Sequence, residues 1–474
     1  MNSPGEAANV PRRIAVIGAG LTGLAAAHRL LSLDPTAQIV LYEATDRIGG
    51  HIQTVERDGF LIERGADAFI TNKPAAVELC RELGIEDRLI PTNEQFRGSL
   101  VLRNGRPVPV PDGFSLLTPT RLVPILRSPI FTWKGKLRIA AEQFVRRSRS
   151  SEEESVSAFV RRRFGDEAFE RLVQPMLGGI YTADPDKLSL AATMPRFIDM
   201  ERDHGSLIKA TRRQAADTGT DKHASGARYG LFATFEDGMQ QFFAALRTQV
   251  ESGATIITNT AVETVSQTNN GWDIKAASES LFFDAVIITT PTFVAADLLA
   301  ESSPRLADRL REIQYASAAV VATGHRRQDV SHPCDAFGLV IPAIENRRIL
   351  AVSFSSRKFP GRAPQDHILM RTFVGGATQP EQMDRSDEEL VELVREELSD
   401  LLGVTGRETI SLVTRYTKAM PQYHLGHRKL VQSIEQLTAT LPGLELAGSA
   451  YHGVGIPDSI QSGRLAGENL ASTK

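Results

Sequence analysis

Near the start of the 474-residue chain, Gly18, Gly20 and Gly23 stand in the order G-x-G-x-x-G, and a carboxylate, Glu43, follows twenty residues after Gly23. That spacing suits a nucleotide pyrophosphate. Gly18 makes a tight turn, Gly20 lets phosphate approach bare backbone, and Gly23 lets a helix pack close to a strand. The phosphate charge then meets the positive end of the helix. Glu43 can accept hydrogen bonds from ribose hydroxyls. The elements that must position these groups surround them in order. Residues 13–17 form an apolar strand-like run, an alanine- and leucine-rich helix follows the glycines, and residues 38–43 read as a second strand ending at Glu43. The pattern predicts dinucleotide binding at the head of a βαβ unit.

Composition limits what else the chain can be. It is 42% hydrophobic and 23% charged, with 54 basic and 57 acidic residues and a net charge of -3. That balance argues for packed cores and against global disorder. It also excludes a protein that binds nucleic acid through overall charge. The two cysteines, Cys80 and Cys334, form no metal-like or disulfide framework, so a reducing cytosol is the default compartment. Arg12 and Arg13 precede an uncharged run from residue 14 to 27 that superficially resembles a signal peptide. The run is too short to cross a bilayer, and its glycines have the better explanation above. The histidines form no metal cluster, and no metal ligand is nominated.

Further motifs decide which dinucleotide is meant. Arg47-Ile48-Gly49-Gly50-His51 comes just after Glu43, and Glu63-Arg64-Gly65-Ala66-Asp67 comes next. Near the other end, residues 444–448 read as a strand running into Gly448. Tyr451-His452-Gly453-Val454-Gly455-Ile456-Pro457-Asp458-Ser459 follows, with Pro457 set for the first turn of a helix. Such a helix start can aim its N–H groups at an electron-rich carbonyl edge. The first of these segments resembles the R-x-G-G-R continuation of flavoproteins in the amine oxidase and protoporphyrinogen oxidase superfamily, with His51 replacing the terminal basic residue. The C-terminal one resembles that superfamily's closing motif. The resemblance implies non-covalent FAD held by Arg47, Gly49, Gly50, Gly65, Gly448, Val454, Ile456 and Asp458, together with Gly18, Gly20, Gly23 and Glu43. It also implies that Val262 meets the adenine through its backbone. There is no second G-x-G-x-x-G, which argues against a separate NAD(P)H site.

The middle of the chain is more distinctive. Residues 154–165, beginning after a predicted capping box of Ser151 with Glu154, lead to Pro175-Met176-Leu177-Gly178-Gly179-Ile180-Tyr181-Thr182-Ala183-Asp184-Pro185. With Gly205-Ser206-Leu207-Ile208 and the C-terminal motif, these resemble the porphyrinogen oxidases of haem synthesis, the HemY type, over essentially the whole chain. The resemblance implies oxidation of coproporphyrinogen III or protoporphyrinogen IX to the porphyrin. Oxygen would be the acceptor, hydrogen peroxide the product, and a ferrochelatase the next enzyme. Gly179, Phe337, Val340 and Phe373 match the segments that enclose the macrocycle, and Arg97 is the candidate for a propionate. No side-chain base is nominated, because the cofactor carries the hard chemistry and positioning is left to the protein.

The implied architecture is α/β. A discontinuous Rossmann-like FAD domain takes residues 12–91, 229–298 and 437–474, an antiparallel-sheet substrate domain takes 299–436, and 92–210 is a helical insertion. Residues 121–149 carry a net charge of +7 with apolar residues interleaved, a pattern that is most often a solvated helical face and otherwise a contact with a membrane surface. Residues 211–226 read as a mobile loop and 1–11 as a disordered tail. Three other readings stay open at this point. A flavin amine oxidase or a carotenoid desaturase would use the same scaffold, and a Rab GDP-dissociation-inhibitor-like binding protein would reuse it without turnover.

Overall fold

The computed structural model describes residues 11–112, 114–115, 118–119, 122–148, 152–217 and 231–472. A five-stranded parallel sheet has the order Ala254–Ile257, Gln38–Tyr42, Arg13–Ile17, Ala285–Ile288, Leu444–Leu446, so three distant stretches of chain build it. Successive side chains of a strand point to opposite faces. Accordingly Ile14 and Val16 enter one core with Leu24, Leu41 and Ile287, while Ala15 and Ile17 enter another with Trp272, Phe283 and Ile288. Both faces are covered, as a parallel sheet requires. The helix after the glycines, Leu21–Leu33, packs against the last helix, Ile456–Ser472. Their contact is a seam of small residues. A Cβ on Gly463 would overlap the Thr22 carbonyl oxygen, and one on Gly467 would come within 3.0 Å of the Ala26 carbonyl oxygen. The two ends of the chain are thereby locked together beside the glycine motif.

A second, seven-stranded sheet has the order Ile410–Pro421, Tyr315–Arg326, His367–Gly375, Ala351–Phe354, Gly338–Val340, Leu100–Arg103, Arg106–Pro109. It is antiparallel except where Gly338–Val340 runs parallel to Leu100–Arg103. The 92–210 segment is therefore not helical throughout, because it supplies the edge hairpin of this sheet. One face of the sheet is buried by the helix Asp387–Leu402, whose Leu390, Leu393, Val394 and Leu398 pack on Val321, Leu339, Val352 and Met370. Each such buried side chain contributes about 1.5–3 kcal/mol. A capping box between Ser386 and Glu389 starts that helix, and Gly403 in the left-handed conformation ends it.

The other face looks toward the parallel sheet and a helical layer. That layer includes Val156–Phe164, Gln174–Tyr181, Pro195–His204 and Leu207–Asp217 around Phe159, Leu172, Leu177 and Phe197. The first of these helices is capped by Ser155, whose hydroxyl accepts from Ala158 N–H at 3.1 Å. Glu154 instead grips Arg162, and Ser151 lies outside the described residues. A fully buried ion pair, Glu142 with Arg163, braces the layer. Glu142 also accepts from the Ser206 hydroxyl at 2.6 Å and from Leu207 N–H at 3.0 Å, placing negative charge at a helix start. Residues 211–217, read from the sequence as part of a mobile loop, continue the last helix of the layer, and 218–226 lie outside the described residues, as do 1–10. Among the described residues no helix is long and apolar enough to cross a membrane.

Candidate active site

The glycine motif forms a cradle of bare backbone. Gly18 adopts a φ of +99°, which favours glycine, and its N–H donates to the Tyr42 carbonyl at 2.8 Å. The Thr289 hydroxyl lies 2.9 Å from the Ile17 carbonyl oxygen and 3.0 Å from that of Gly18, holding the turn from the neighbouring strand's end. A Cβ on Gly23 would overlap the Gly18 carbonyl oxygen. Gly20 is the N-cap of the Leu21–Leu33 helix and offers no side-chain cap. A Cβ on it would meet only Gly50 Cα, 3.8 Å away, and a Cβ on Gly50 would meet only Gly20 Cα. The loop carrying Gly49 and Gly50 is tied there by Gly49 N–H donating to the Ala19 carbonyl at 2.9 Å. Arg47 turns back on this loop, donating to the carbonyls of Ile52, at 3.0 Å, and of Gly50. In this structure it shapes the two glycines from behind.

Glu43 sits where the second strand ends. One carboxylate oxygen accepts from Ala19 N–H at 3.0 Å, and the other accepts from Thr45 N–H at 3.0 Å and its hydroxyl at 2.8 Å. A carboxylate has about four acceptor sites, so capacity remains for a hydroxyl. The turn leading to half-buried Val262 lies alongside, with Thr260 N–H donating to the Glu43 carbonyl at 2.9 Å. Gly65 closes on the same loop system, since a Cβ there would overlap the His51 carbonyl oxygen.

The C-terminal motif completes the cradle. Gly448 N–H donates to the Ser462 hydroxyl at 2.9 Å, and the helix Ile456–Ser472 begins where Pro457 predicts. Asp458 accepts from Gly455 N–H at 3.2 Å and pairs with Lys73 at 2.5 Å. Lys73 was not anticipated from sequence, because it is isolated in a loop and only the fold brings it to Asp458.

The candidate substrate residues are assembled by strand register. Val340 pairs with Ala351, Ala351 with Phe373, Phe373 with Val320 and Val320 with Thr414, so all lie in one row across the sheet. Val340 and Phe373 thus share the face opposite the Asp387–Leu402 helix. Gly179 is exposed, and a Cβ there would meet open space. Its helix is joined to the far end of the Phe373 strand, where Ala377 N–H donates to the Thr182 carbonyl at 2.8 Å. Val340, Val454, Met176 and Tyr181 all pack against one apolar cluster, which brings sheet, cofactor motif and helical layer to a common place. Arg97 is exposed and is linked to half-buried Phe337 through Gly98, whose carbonyl accepts Phe337 N–H at 2.9 Å.

Several groups here escaped the sequence reading. Tyr416 shares a row with Gly375 through Ala318, its ring meets His51 edge-on at 5.7 Å, and its buried hydroxyl has no partner among the described residues. Burial pushes the Tyr416 phenol up. Burial also raises the Tyr181 phenol to about 12, with the Asp458 charge adding to the effect. Glu63 is buried and raised by desolvation, although Met239 N–H at 2.7 Å and the Thr54 hydroxyl at 2.9 Å oppose the shift. Asp67 feels the same burial, but Lys358 and Arg371 outweigh it and hold its carboxyl below the usual range. A signal for Arg371 was available, since it is the one charge inside the run Ile368–Val374, which is apolar apart from Thr372. Among the described residues no group of His, Cys, Asp and Glu side chains could hold a metal.

The chain is similar over almost its full length to porphyrinogen oxidases. It is 34% identical over 464 residues to the coproporphyrinogen III oxidase of Bacillus subtilis, covering 96% of this chain and 97% of that protein. It is 30% identical to protoporphyrinogen oxidase 2 of Arabidopsis thaliana, covering 97% and 94% respectively. A crystal structure from Exiguobacterium sp. 255-15, provisionally described as a protoporphyrinogen oxidase, superposes with a TM-score of 0.86 at 28% identity, covering 98% of this chain and 99% of that one. The description of the flavin containing amine oxidoreductases matches residues 21–471. The chain belongs to the flavin containing amine oxidoreductase family.

Proposed function

We propose that this protein is an FAD-dependent porphyrinogen oxidase that converts coproporphyrinogen III or protoporphyrinogen IX to the corresponding porphyrin. The observation that carries the reading is the near-complete similarity to porphyrinogen oxidases of both kinds. The meeting of the glycine cradle with the Val340–Phe373 sheet face supports it. The cradle fits FAD, because the facing Gly20 and Gly50 leave a space that side chains would fill, and the helix start behind them has no side-chain cap. Gly18, Gly20, Gly23, Gly49 and Gly50 would border the pyrophosphate and Glu43 the ribose. Val262 would border the adenine, and Gly65, Gly448, Val454, Ile456 and Asp458 the flavin end.

The cofactor supplies a two-electron acceptor for hydride equivalents leaving the macrocycle and a route onward to dissolved oxygen, with hydrogen peroxide as product. The protein's own part is to bind and orient. Phe337, Val340 and Phe373 supply apolar surface for the macrocycle, Gly179 gives it room, and Arg97 meets a rim carboxylate. Non-covalent attachment is supported by the cysteines. Cys80 and Cys334 are both buried, and burial pushes each thiol up to about 12.

The domain division follows the same reading, with 12–91, 229–298 and 437–474 serving the cofactor, and 299–436, joined by the hairpin at 100–109, serving the substrate. The helical layer also presents Trp133, Leu137 and Phe144 at 72%, 67% and 80% exposure, beside exposed Lys134, Arg146 and Arg147. Bulky apolar groups set among bases suit an anionic membrane surface, where the apolar product would be passed on to a ferrochelatase in a cytoplasmic setting. Sedimentation with anionic vesicles should carry the protein down at low salt and less at high salt. Absence of binding at both would remove the membrane claim.

The functional test supplies each porphyrinogen to purified protein while porphyrin fluorescence and dissolved oxygen are followed together. Porphyrin should appear as oxygen is consumed, and the ratio of rates selects the substrate. No flavin-dependent rate on either substrate would defeat the proposal.

A further inference from the structure

Two loops and two strands meet around Arg371 in a way that the cofactor and substrate assignments do not use. Arg371 lies on the strand His367–Gly375, two residues before Phe373, and therefore on the same sheet face. Its neighbours in the row, Ser353 and Ala322, are small and leave room for a guanidinium. The side chain is only 4% exposed. One end nitrogen donates to the Gly65 carbonyl, the other lies 3.5 Å from an Asp67 oxygen, and Nε is buried without a partner among the described residues. Lys358, at the end of the turn that follows the Ala351–Phe354 strand, grips both oxygens of Asp67 at 3.0 and 3.1 Å. A third tie comes from Arg64, whose Nε donates to the Thr414 hydroxyl at 3.1 Å, and Thr414 belongs to the Phe373 row.

We infer that Arg371 is a positioning residue for the reaction: with Asp67 and Lys358 it fixes the distance between the loop at Gly65, on the cofactor side, and the sheet face carrying Phe373, on the substrate side. The inference rests on the porphyrinogen oxidase reading. The physical case is that the sheet strand and the turn following its neighbour supply the two cations and the loop supplies the carbonyl and the carboxylate, so the charges bridge two bodies of structure. The planar guanidinium offers its two end nitrogens in a fixed fork, one to each acceptor, whereas a lysine presents a single nitrogen on a flexible stem. A buried guanidinium is expensive to desolvate, and here, two residues from the Phe373 position, that cost is offset by the Gly65 carbonyl and the Asp67 carboxylate. Reaction between two bound groups is steep in their separation, and a misplacement of about 1 Å costs on the order of 100-fold in rate.

The test is the flavin reduction rate per bound flavin in the intact holoprotein, mixed without oxygen with saturating porphyrinogen. A separate experiment measures reoxidation of chemically reduced protein by oxygen. Arg371→Met should slow reduction by about 10- to 100-fold while leaving reoxidation unchanged, and Arg371→Lys should fall between it and the parent. Asp67→Asn should slow reduction in the same direction, and the double variant should be no slower than Arg371→Met alone. Should Arg371→Met fail to hold flavin, Asp67→Asn and Arg371→Lys carry the same comparison. A purely structural role would lower flavin content and stability yet leave the rate per bound flavin at the parent value, and that result would overturn the inference. Failure of the parent protein itself to be reduced by either porphyrinogen would instead overturn the functional reading beneath it.

Discussion

The loops of the glycine cradle touch the face of the seven-stranded sheet, His51 at Tyr416 and Gly65 at Arg371, but the two are built by opposite means. The cradle is made of missing side chains. Gly18, Gly20, Gly23 and Gly50 create space and expose backbone, and their spacing lies within a stretch of chain that a local reading spans. The sheet face is made of side chains that are present. Val340, Ala351, Phe373, Val320 and Thr414 come together only because five strands, spread over residues 315–421, pair in one register. The first kind of site is intolerant of any addition. The second tolerates change but loses grip as contacts are removed.

The largest effect should come from filling the cradle. Gly23→Val would drive a side chain into the Gly18 carbonyl and toward the Thr289 hydroxyl, 3.0 Å from the first added carbon. Overpacking of this kind costs on the order of 3 kcal/mol, which is about 100-fold in flavin affinity. The protein should emerge from gel filtration without flavin colour while its circular dichroism is unchanged. Trimming the sheet face should do less and do it elsewhere. Phe373→Ala should keep its flavin and raise the porphyrinogen KM by roughly tenfold, the equivalent of about 1.4 kcal/mol of apolar contact. A loss of flavin in this variant would mean that the two regions are not separable as described.

A third prediction concerns the cradle's support. His427 stacks on Tyr423 at 3.9 Å, its Nε2 lies 3.3 Å from the Tyr451 carbonyl oxygen, and burial lowers its pKa to about 4. The unfolded chain takes up this proton near pH 6.5 and the folded chain does so only near 4, so the stabilisation is present above the unfolded value and is lost as pH falls. Unfolding free energy should therefore decrease by up to about 1.4 kcal/mol per pH unit across that window. His427→Phe should flatten the dependence measured by urea denaturation. The smallest effect is expected at Glu43. Glu43→Gln keeps the shape but weakens charge-assisted bonds to Ala19 and to a ribose hydroxyl, for a loss of about 1 kcal/mol, or roughly fivefold, in flavin affinity by titration of the apoprotein.

The same contrast explains what could be read before the fold was known. The βαβ cradle was legible because each glycine answers a local steric demand and Glu43 ends its own strand. The helix start at Pro457 was legible for a similar reason. Lys73, Thr289 and Tyr416 were not, since each acts on a partner that only tertiary structure supplies: Asp458, Gly18 and His51. Arg371 stood out as a charge in a largely apolar strand, but its partner at Gly65 did not. Residues 92–210 were read as helical from a basic, amphipathic middle, and the hairpin at 100–109 was missed because its apolar alternation is short and ends in prolines. The capping residue of the Val156–Phe164 helix was placed at Ser151, whereas Ser155 does the work, because two serines in a polar stretch offer the same local chemistry. Arg97 illustrates a different limit. Its charge suggested a carboxylate partner, and the structure leaves it exposed beyond Phe337.

If the cradle and the sheet face serve one reaction on one substrate class, only a porphyrinogen should reduce the flavin held there. The most direct measurement is an anaerobic titration of the flavin-loaded protein with coproporphyrinogen III, protoporphyrinogen IX and, as a control, a primary amine. The account predicts that a porphyrinogen bleaches the flavin while porphyrin fluorescence rises in step, and that the amine leaves the flavin oxidised. Flavin that stays oxidised with both porphyrinogens but bleaches with the amine would contradict it.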